Sequence, residues 1–189
     1  MQIRLARAAD IPAVAKIYDA IHTQEEAGNV TVGWVRSVYP TEETARVALL
    51  RGDLFVLEET GVIQAAAIIN FLQPDGYQRG AWLYPAKEDE VLVLHTLVVN
   101  PAIAGRGLGR RFVSFYEDLA VKKGRPFLRM DTNERNERAR QLYASLGYRE
   151  AGIVPTVFNG IPDVMLVLLE KKLESSSDGV QSDDIVSER

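Results

Sequence analysis

The sequence feature that most constrains the fold is a run of closely spaced glycines between a β-branched segment and an amphipathic one. Val91 to Val99 is strongly β-branched, which predicts a buried strand, and the residues from about Gly107 to Lys122 carry apolar side chains at helical spacing. The turn between them contains Gly105, Gly107 and Gly109. Glycines allow backbone N–H groups to approach a ligand closely, and a helix N-terminus favours anions. The sequence therefore predicts a strand, a turn and a helix that bind an anion such as a pyrophosphate.

Other interpretations of this turn are a packing role without a ligand and a nucleotide-binding signature. The dinucleotide fingerprint G-x-G-x-x-G fails in both registers, because its third glycine position is occupied by Arg110 or Phe112. A P-loop would require a terminal Gly-Lys-Ser/Thr, which the segment lacks. Packing and a pyrophosphate that is not part of a dinucleotide remain as the two interpretations.

The rest of the chain alternates strand and helix signals. Their order, β-α-α-β-β-β-α-β-α-β-β, predicts an α/β fold with a mixed central sheet and helices on both faces. We expect a single domain over residues 1–173 and an acidic, disordered tail over 174–189, where serine and acidic residues replace apolar ones. Beyond the central strand and helix, strands are expected at 2–5, 53–59, 62–71, 126–132, 148–156 and 164–170, with helices after Asp10, Thr41 and Asn136 and a type I′ hairpin at Asn159-Gly160.

Composition excludes several classes of function. The chain has no cysteine, so it forms no disulfide and has no thiol nucleophile, and with only His22 and His95 we expect no metal. The net charge of −4 belongs to the tail, because residues 1–173 contain 21 acidic and 21 basic side chains. A balanced charge without a basic face predicts no nucleic-acid partner. Apolar runs fall far short of the roughly 18 residues of a membrane span, so we expect no membrane association and a cytoplasmic protein.

A second motif follows the first and makes the pattern more specific. It contains Asn136, Ala139, Leu142, Tyr143 and, after the helix, Gly147-Tyr148. With the glycine-rich turn, it resembles the GCN5-related N-acetyltransferase (GNAT) superfamily. The resemblance implies a mostly antiparallel sheet with a splay between the fourth and fifth strands, acetyl-CoA as co-substrate, and transfer of its acetyl group to an amine.

The resemblance also implies a coenzyme site. The strand would offer backbone groups to the pantetheine arm, the turn would hold the pyrophosphate, and the next helix would add polar contacts, although an arginine on an exposed helix is more often solvated. The family's Gln/Arg position is Ala104 here, and the loss of that charge-assisted hydrogen bond costs about 1.5–3 kcal/mol. The expected coenzyme-binding residues are Leu97, Val98, Val99, Gly105, Arg106, Gly107, Leu108, Gly109, Arg110, Asn133, Asn136 and Arg138.

Tyr143 has two interpretations. It shares one helical face with Ala139, Leu142 and Leu146, which is typical of a core tyrosine. The resemblance implies instead a general acid aimed at the thioester sulfur, and a phenol of pKa about 10 suits a departing thiolate.

His95 also has two interpretations. Strand alternation places Val93, His95 and Leu97 on one face, where a lone histidine is commonly a core group with its hydrogen bonds satisfied. The resemblance to the arylalkylamine branch of the superfamily implies a base, and the reaction needs one, because deprotonating an amine of pKa about 10.4 at pH 7 costs about 4.6 kcal/mol. Glu90 and a water relay are the alternatives.

The acceptor is the least constrained part of the prediction. Aromatic residues in two irregular segments are expected to form its walls, although each could equally be ordinary packing; they are Trp34, Tyr39, Trp82 and Tyr84. We expect acetylation of a primary amine on a small molecule. The alternatives are a coenzyme-binding sensor or scaffold without catalysis, and acetylation of a protein N-terminus or lysine. The sequence also leaves open a homodimer that pairs through the last hairpin.

Overall fold

The computed structural model describes residues 1–174 as strands and helices in the predicted order. The predicted disordered tail lies, from residue 175 onward, outside the described residues. In residues 1–174 no helix is both long enough and apolar enough to cross a membrane. The strands are β1 (Gln2–Leu5), β2 (Leu54–Glu59), β3 (Val62–Asn70), β4 (Val91–Val99), β5 (Phe127–Asn133), β6 (Arg149–Phe158) and β7 (Ile161–Lys172), and the helices are α1 (Ile11–Glu26), α2 (Glu42–Arg51), α3 (Leu108–Lys122) and α4 (Glu137–Ser145).

All seven strands form one sheet in the order β1-β2-β3-β4-β5-β7-β6. Every neighbouring pair is antiparallel except β4 and β5, which run parallel. The β4–β5 ladder ends at the pair Leu94 and Met130, although both strands continue beyond it. The predicted fold class is therefore confirmed, including the splay between the fourth and fifth strands.

Helices cover both faces of the sheet. On one face, Phe112 and Tyr116 of α3 and Tyr143 of α4 pack into a buried cluster with Leu92 and Met130 of the central strands. On the other face, α1 and α2 form a second cluster with β2 and β3. A third cluster lies around β6 and β7. Burying apolar surface on both faces stabilises the central strands, which explains their nearly continuous apolar sequence.

The last hairpin follows directly from its sequence. Asn159 and Gly160 both have positive φ, 49° and 86°, and they join the paired residues Phe158 and Ile161. Two positive φ angles define a type I′ turn, which Asn-Gly adopts more readily than other dipeptides. The predicted hairpin is therefore confirmed.

One prediction about β4 is wrong because the strand contains a β-bulge. Thr96 has a φ of 50°, and the register against β3 shifts at this point. An extra residue in one strand reverses the alternation of the side chains that follow it. Val93 therefore packs with β6 and β7, whereas Leu97 packs on the α3 side with Leu94. His95 and Leu97 do not share a face, and each faces a different cavity.

Candidate active site

Two cavities border the point at which β4 and β5 separate. The first, which we call the turn cavity, has a volume of about 480 Å³ and is lined by the end of β4, the turn 104–107 and the starts of α3 and α4. The second, which we call the His95 cavity, has a volume of about 870 Å³ and is lined by His95 and Thr96 of β4 and Asp131 of β5. The splay thus brings two separate openings to one pair of strands.

Backbone conformation shapes the turn cavity. Gly105 and Gly107 have φ angles of 89° and 76°, and Gly107 precedes the first residue of α3. Residues other than glycine are strained at such φ angles. A Cβ atom at either position would meet no other atom within 4 Å, so the space beside the turn is open. Arg106 lies between them and donates to both carboxylate oxygens of Glu59, at 3.0 and 3.1 Å. A turn of this conformation at a helix N-terminus suits an anion such as the predicted pyrophosphate.

The turn cavity gathers the predicted coenzyme residues with one exception. The residues after α1, which sequence reasoning missed, form another part of its wall, together with Trp34. No motif marks this segment, which is tied to the turn between β5 and α4: Thr31 Oγ1 donates to the Arg135 carbonyl at 2.6 Å. The predicted residues in the wall are Leu97, Val98, Val99, Gly105, Arg106, Gly107, Leu108, Gly109, Arg110, Asn136, Arg138 and Tyr143.

Asn133 is the exception. Its Oδ1 accepts a hydrogen bond from the Arg135 N–H at 3.0 Å, and its side chain is buried against Gly33, where a Cβ would overlap its amide nitrogen. Asn133 therefore connects the end of β5 to the loop that carries Trp34.

Tyr143 is both a core residue and part of the cavity wall. Its ring is buried and makes an edge contact with Tyr148 at a centroid distance of 6.1 Å. Burial raises the pKa of the Tyr143 phenol well above its usual range, and the charge of Asp131 raises it further. Within residues 1–174 the hydroxyl has no hydrogen-bond partner, so a protonated phenol is available at the cavity.

The hydrogen bonds of His95 fix its tautomer. Asn70 Oδ1 accepts from the Leu72 N–H at 2.9 Å and lies 3.0 Å from His95 Nε2, so Nε2 carries a proton and Nδ1 is left as the acceptor. The amide of Asn70 in turn donates to Asp53 Oδ2 at 2.8 Å. Burial lowers the pKa of His95 to about 4, so the imidazole is neutral at pH 7 but only weakly basic.

Asp131 is a candidate that sequence reasoning missed. It directly follows Met130 on β5, as His95 follows Leu94 on β4, so the two residues stand at the mouth of the splay and line the same cavity. Its Oδ2 accepts a hydrogen bond from the Tyr77 hydroxyl at 2.9 Å. Burial raises the pKa of Asp131 to about 6. An acidic residue inside a predicted buried strand is the signal that could have identified it.

The four aromatic residues predicted as acceptor walls lie in different places. Tyr39 lines the His95 cavity, and its hydroxyl is hydrogen-bonded to Thr96 Oγ1 at the bulge. Trp34 makes an edge contact with Tyr39 but lines the turn cavity. Trp82 and Tyr84 line neither cavity: Trp82 Nε1 donates to a backbone carbonyl at 2.7 Å and its ring lies against Arg129, while Tyr84 packs beside β5.

Glu90, the alternative base, also lies elsewhere. It precedes β4, at the opposite end of that strand from the splay, and its Oε2 accepts a hydrogen bond from the Lys87 N–H at 2.8 Å. His95 and Asp131, by contrast, line the cavity beside Tyr39 and stand at its splay end.

Sequence comparisons connect this geometry to known proteins. The model of the acetyltransferase (GNAT) family matches residues 15–148. An L-methionine sulfoximine/L-methionine sulfone acetyltransferase of Salmonella typhimurium is 28% identical over 160 residues, which cover 83% of this chain and 85% of the relative. An L-amino acid N-acyltransferase of Escherichia coli is 29% identical over 160 residues, with 83% and 84% covered. An uncharacterized N-acetyltransferase of Methanocaldococcus jannaschii also matches, but the chain spans only 32% of its length.

Structural comparisons agree on the fold. A GNAT-family acetyltransferase from Streptococcus agalactiae superposes with a TM-score of 0.76 at 25% identity, over 92% of this chain and 96% of the other. A putative acetyltransferase from Salmonella typhimurium, solved with acetyl-CoA, superposes with a TM-score of 0.68 at 21% identity, over 93% and 95% of the two chains.

Proposed function

The chain belongs to the acetyltransferase (GNAT) family and is an N-acetyltransferase, and on that premise we propose that it transfers acetyl from acetyl-CoA directly to a primary amine of a small molecule. The observation that carries the proposal is the meeting of two cavities at the splay, one with the phenol of Tyr143 in its wall and the other with Asp131 and His95 beside the splay. Two relatives that match over 160 residues are named for acyl transfer to amino acids or amino-acid derivatives, which are small amines, and a structural neighbour was solved with acetyl-CoA.

The turn cavity is the proposed coenzyme site. Acetyl-CoA supplies an acetyl group that is activated as a thioester. Backbone N–H groups of the turn 105–109 hold the pyrophosphate, and the unpaired edge of β4 at 97–99 offers main-chain groups to the pantetheine arm. Arg106 and Arg110 lie in the wall of the turn cavity, and to supply the positive charge that Ala104 lacks they exchange their present partners, Glu59 and Ser145, for the pyrophosphate.

Proton removal from the amine is the proposed role of the His95 cavity. Burial raises the pKa of Asp131 to about 6 and lowers that of His95 to about 4, so Asp131 is the stronger proton acceptor of the two. His95, the base predicted from the sequence, then accepts a hydrogen bond from the amine at Nδ1 and orients it. The two assignments differ in their pH profiles.

Tyr143 is the proposed proton donor. The reaction leaves a thiolate that must be protonated, and the phenol hydroxyl stands at the turn cavity with its proton and without a partner. Main-chain N–H groups of β4 beyond the bulge face the splay and stabilise negative charge that develops on the acyl oxygen. No covalent intermediate on the protein is required.

Thermal unfolding with and without about 1 mM acetyl-CoA tests the proposal first. A dissociation constant of about 10 μM gives about 2.7 kcal/mol of stabilisation, or a rise in Tm of about 5–11 °C for a chain of this size. NADH and ATP at the same concentration are the controls. The second readout is thiol release across a panel of primary amines. Binding without thiol release on any amine would replace the enzyme assignment by a coenzyme sensor.

A further inference from the structure

The charged groups of the His95 cavity are predominantly acidic. Its wall contains Glu43, Asp75 and Asp131 together with the neutral His95, and Arg51 is its only cationic side chain within residues 1–174. The side chains of the wall therefore carry a net negative charge.

Arg51 is already neutralised. It donates from Nε and Nη2 to the two carboxylate oxygens of Asp53, at 2.7 and 3.2 Å, and Asp53 is itself buried. A substrate carboxylate that approached Arg51 would compete with this internal bidentate partner.

Burial separates the acidic groups by depth. Asp131 is recessed at the splay, whereas Glu43 and Asp75 are exposed at the opening of the cavity, and within residues 1–174 neither has an ion-pair partner. The remaining wall mixes polar side chains with aliphatic ones, of which Ile68 and Leu166 are buried and Leu72 and Val157 are exposed. The wall of the cavity thus combines a recessed acid, aliphatic side chains and two exposed acids.

We propose that the acceptor is a cation at both ends, a diamine or polyamine whose second ammonium is held by Glu43 and Asp75 while its first amine reacts beside Asp131. This inference rests on the proposed function and names the substrate class of that site. The alkyl chain between two amines matches the aliphatic wall, and an α-amino acid, the class for which two relatives are named, would bring its carboxylate against the acidic groups.

Three acceptors that differ only in the group at the far end of five methylenes test the charge selection: 1,5-diaminopentane, 1-aminohexane and 6-aminohexanoate. These compounds end in an ammonium, a methyl and a carboxylate group. We expect kcat/KM from thiol release to be at least tenfold higher for the diamine than for the monoamine, and lowest for the carboxylate. Raising the ionic strength reduces the diamine's advantage, because the acids at the mouth are exposed to solvent.

Variants at the mouth test the residues. In the Glu43→Gln/Asp75→Asn double variant, the ratio of kcat/KM between 1,5-diaminopentane and 1-aminohexane falls about tenfold. Glu42→Gln is the matched control, because Glu42 is next to Glu43 on α2 but lies outside the cavity wall and pairs with Arg46. The control keeps the wild-type ratio.

The outcomes separate this inference from the proposed function. If amines are acetylated but 6-aminohexanoate or an α-amino acid equals the diamine, the charge selection is wrong and the acetyltransferase assignment stands. If no amine releases thiol, neither the proposed reaction nor its substrate class holds. Calorimetric titration of the coenzyme-saturated protein then tests the charge preference of the His95 cavity by itself. Equal binding of 1,5-diaminopentane and 6-aminohexanoate overturns that preference.

Discussion

The walls of the two cavities at the splay are formed in different ways. The part of the turn cavity predicted to hold the pyrophosphate and the pantetheine arm consists of two short runs of consecutive residues, 97–99 and 104–110, in which backbone conformation shapes the wall. The His95 cavity is made of side chains from α2, β3, the loop 72–76, two central strands and the last hairpin. A site of consecutive backbone can be recognised in a sequence, whereas a site of distant side chains is visible only after folding. The two cavities should accordingly respond differently to substitution, the first in coenzyme affinity and the second in turnover.

The largest effect is expected for Asp131→Asn. The substitution keeps the size of the side chain but removes the proton acceptor, so kcat should fall by about 10²–10³-fold while the Tm rise with acetyl-CoA is retained. In the unmodified protein, activity rises with pH as Asp131 loses its proton, near the pKa of about 6, and this limb is absent from the variant.

His95→Gln is the matched comparison for Asp131. If Asp131 is the base, the glutamine variant loses part of its activity but keeps the limb near pH 6. A limb near pH 4 in the unmodified protein that disappears in the glutamine variant would return the role of base to His95, as predicted from the sequence.

A smaller effect is expected for Tyr143→Phe. Because the phenol has no hydrogen-bond partner within residues 1–174, removing it leaves the packing against Tyr148 intact and should lower kcat at least tenfold. Coenzyme binding, measured by titration calorimetry, stays within twofold. Unchanged turnover would mean that Tyr143 is a core residue only.

Gly107→Ala tests the backbone cradle. The open space admits a methyl group, but the φ of 76° is unfavourable for alanine by about 1–2 kcal/mol, so the turn adopts its binding conformation less often and the dissociation constant for acetyl-CoA rises about 5–30-fold. Gly124→Ala is the control, because Gly124 has a similar φ of 63° and equally open space but lies beyond the far end of α3. Equal coenzyme affinity in the two variants would contradict the cradle.

The sequence predicted those parts of the molecule in which local conformation decides the structure. The strand Val91–Val99, helix α3 and the Asn159-Gly160 hairpin follow from residue preferences and periodicity within each segment. The bulge at Thr96 could not be predicted, because a threonine in a β-branched run gives no signal of a positive φ. Without the bulge, the opposite orientations of His95 and Leu97 could not be foreseen.

Asp131 was missed for a related reason. Its role depends on where β4 and β5 stop pairing, at Leu94 and Met130, which are 36 residues apart in the sequence. It also depends on the Tyr77 hydroxyl, which comes from a third segment. Trp82 and Tyr84 illustrate the converse, because aromatic residues in a loop indicate a binding wall and a packing role equally well. In this molecule their contacts are with Arg129 and Phe127.

The smallest expected effect is on stability: Asp131→Asn, which lowers turnover, should raise the stability of the folded protein. The pKa of Asp131 is raised from 3.8 to about 6 in the folded protein, so the folded state binds the proton more tightly than the unfolded state, and stability is lost as pH rises from about 4 to 6. This difference in pKa corresponds to at most about 3 kcal/mol. Asp131→Asn, which cannot ionise, should therefore unfold at a higher temperature than the unmodified protein at pH 7.5 and at a similar temperature at pH 4. A lower Tm of the variant at pH 7.5 would show that the Asp131 carboxylate stabilises the splay. Asp131 would then have a structural role and not a role in proton removal.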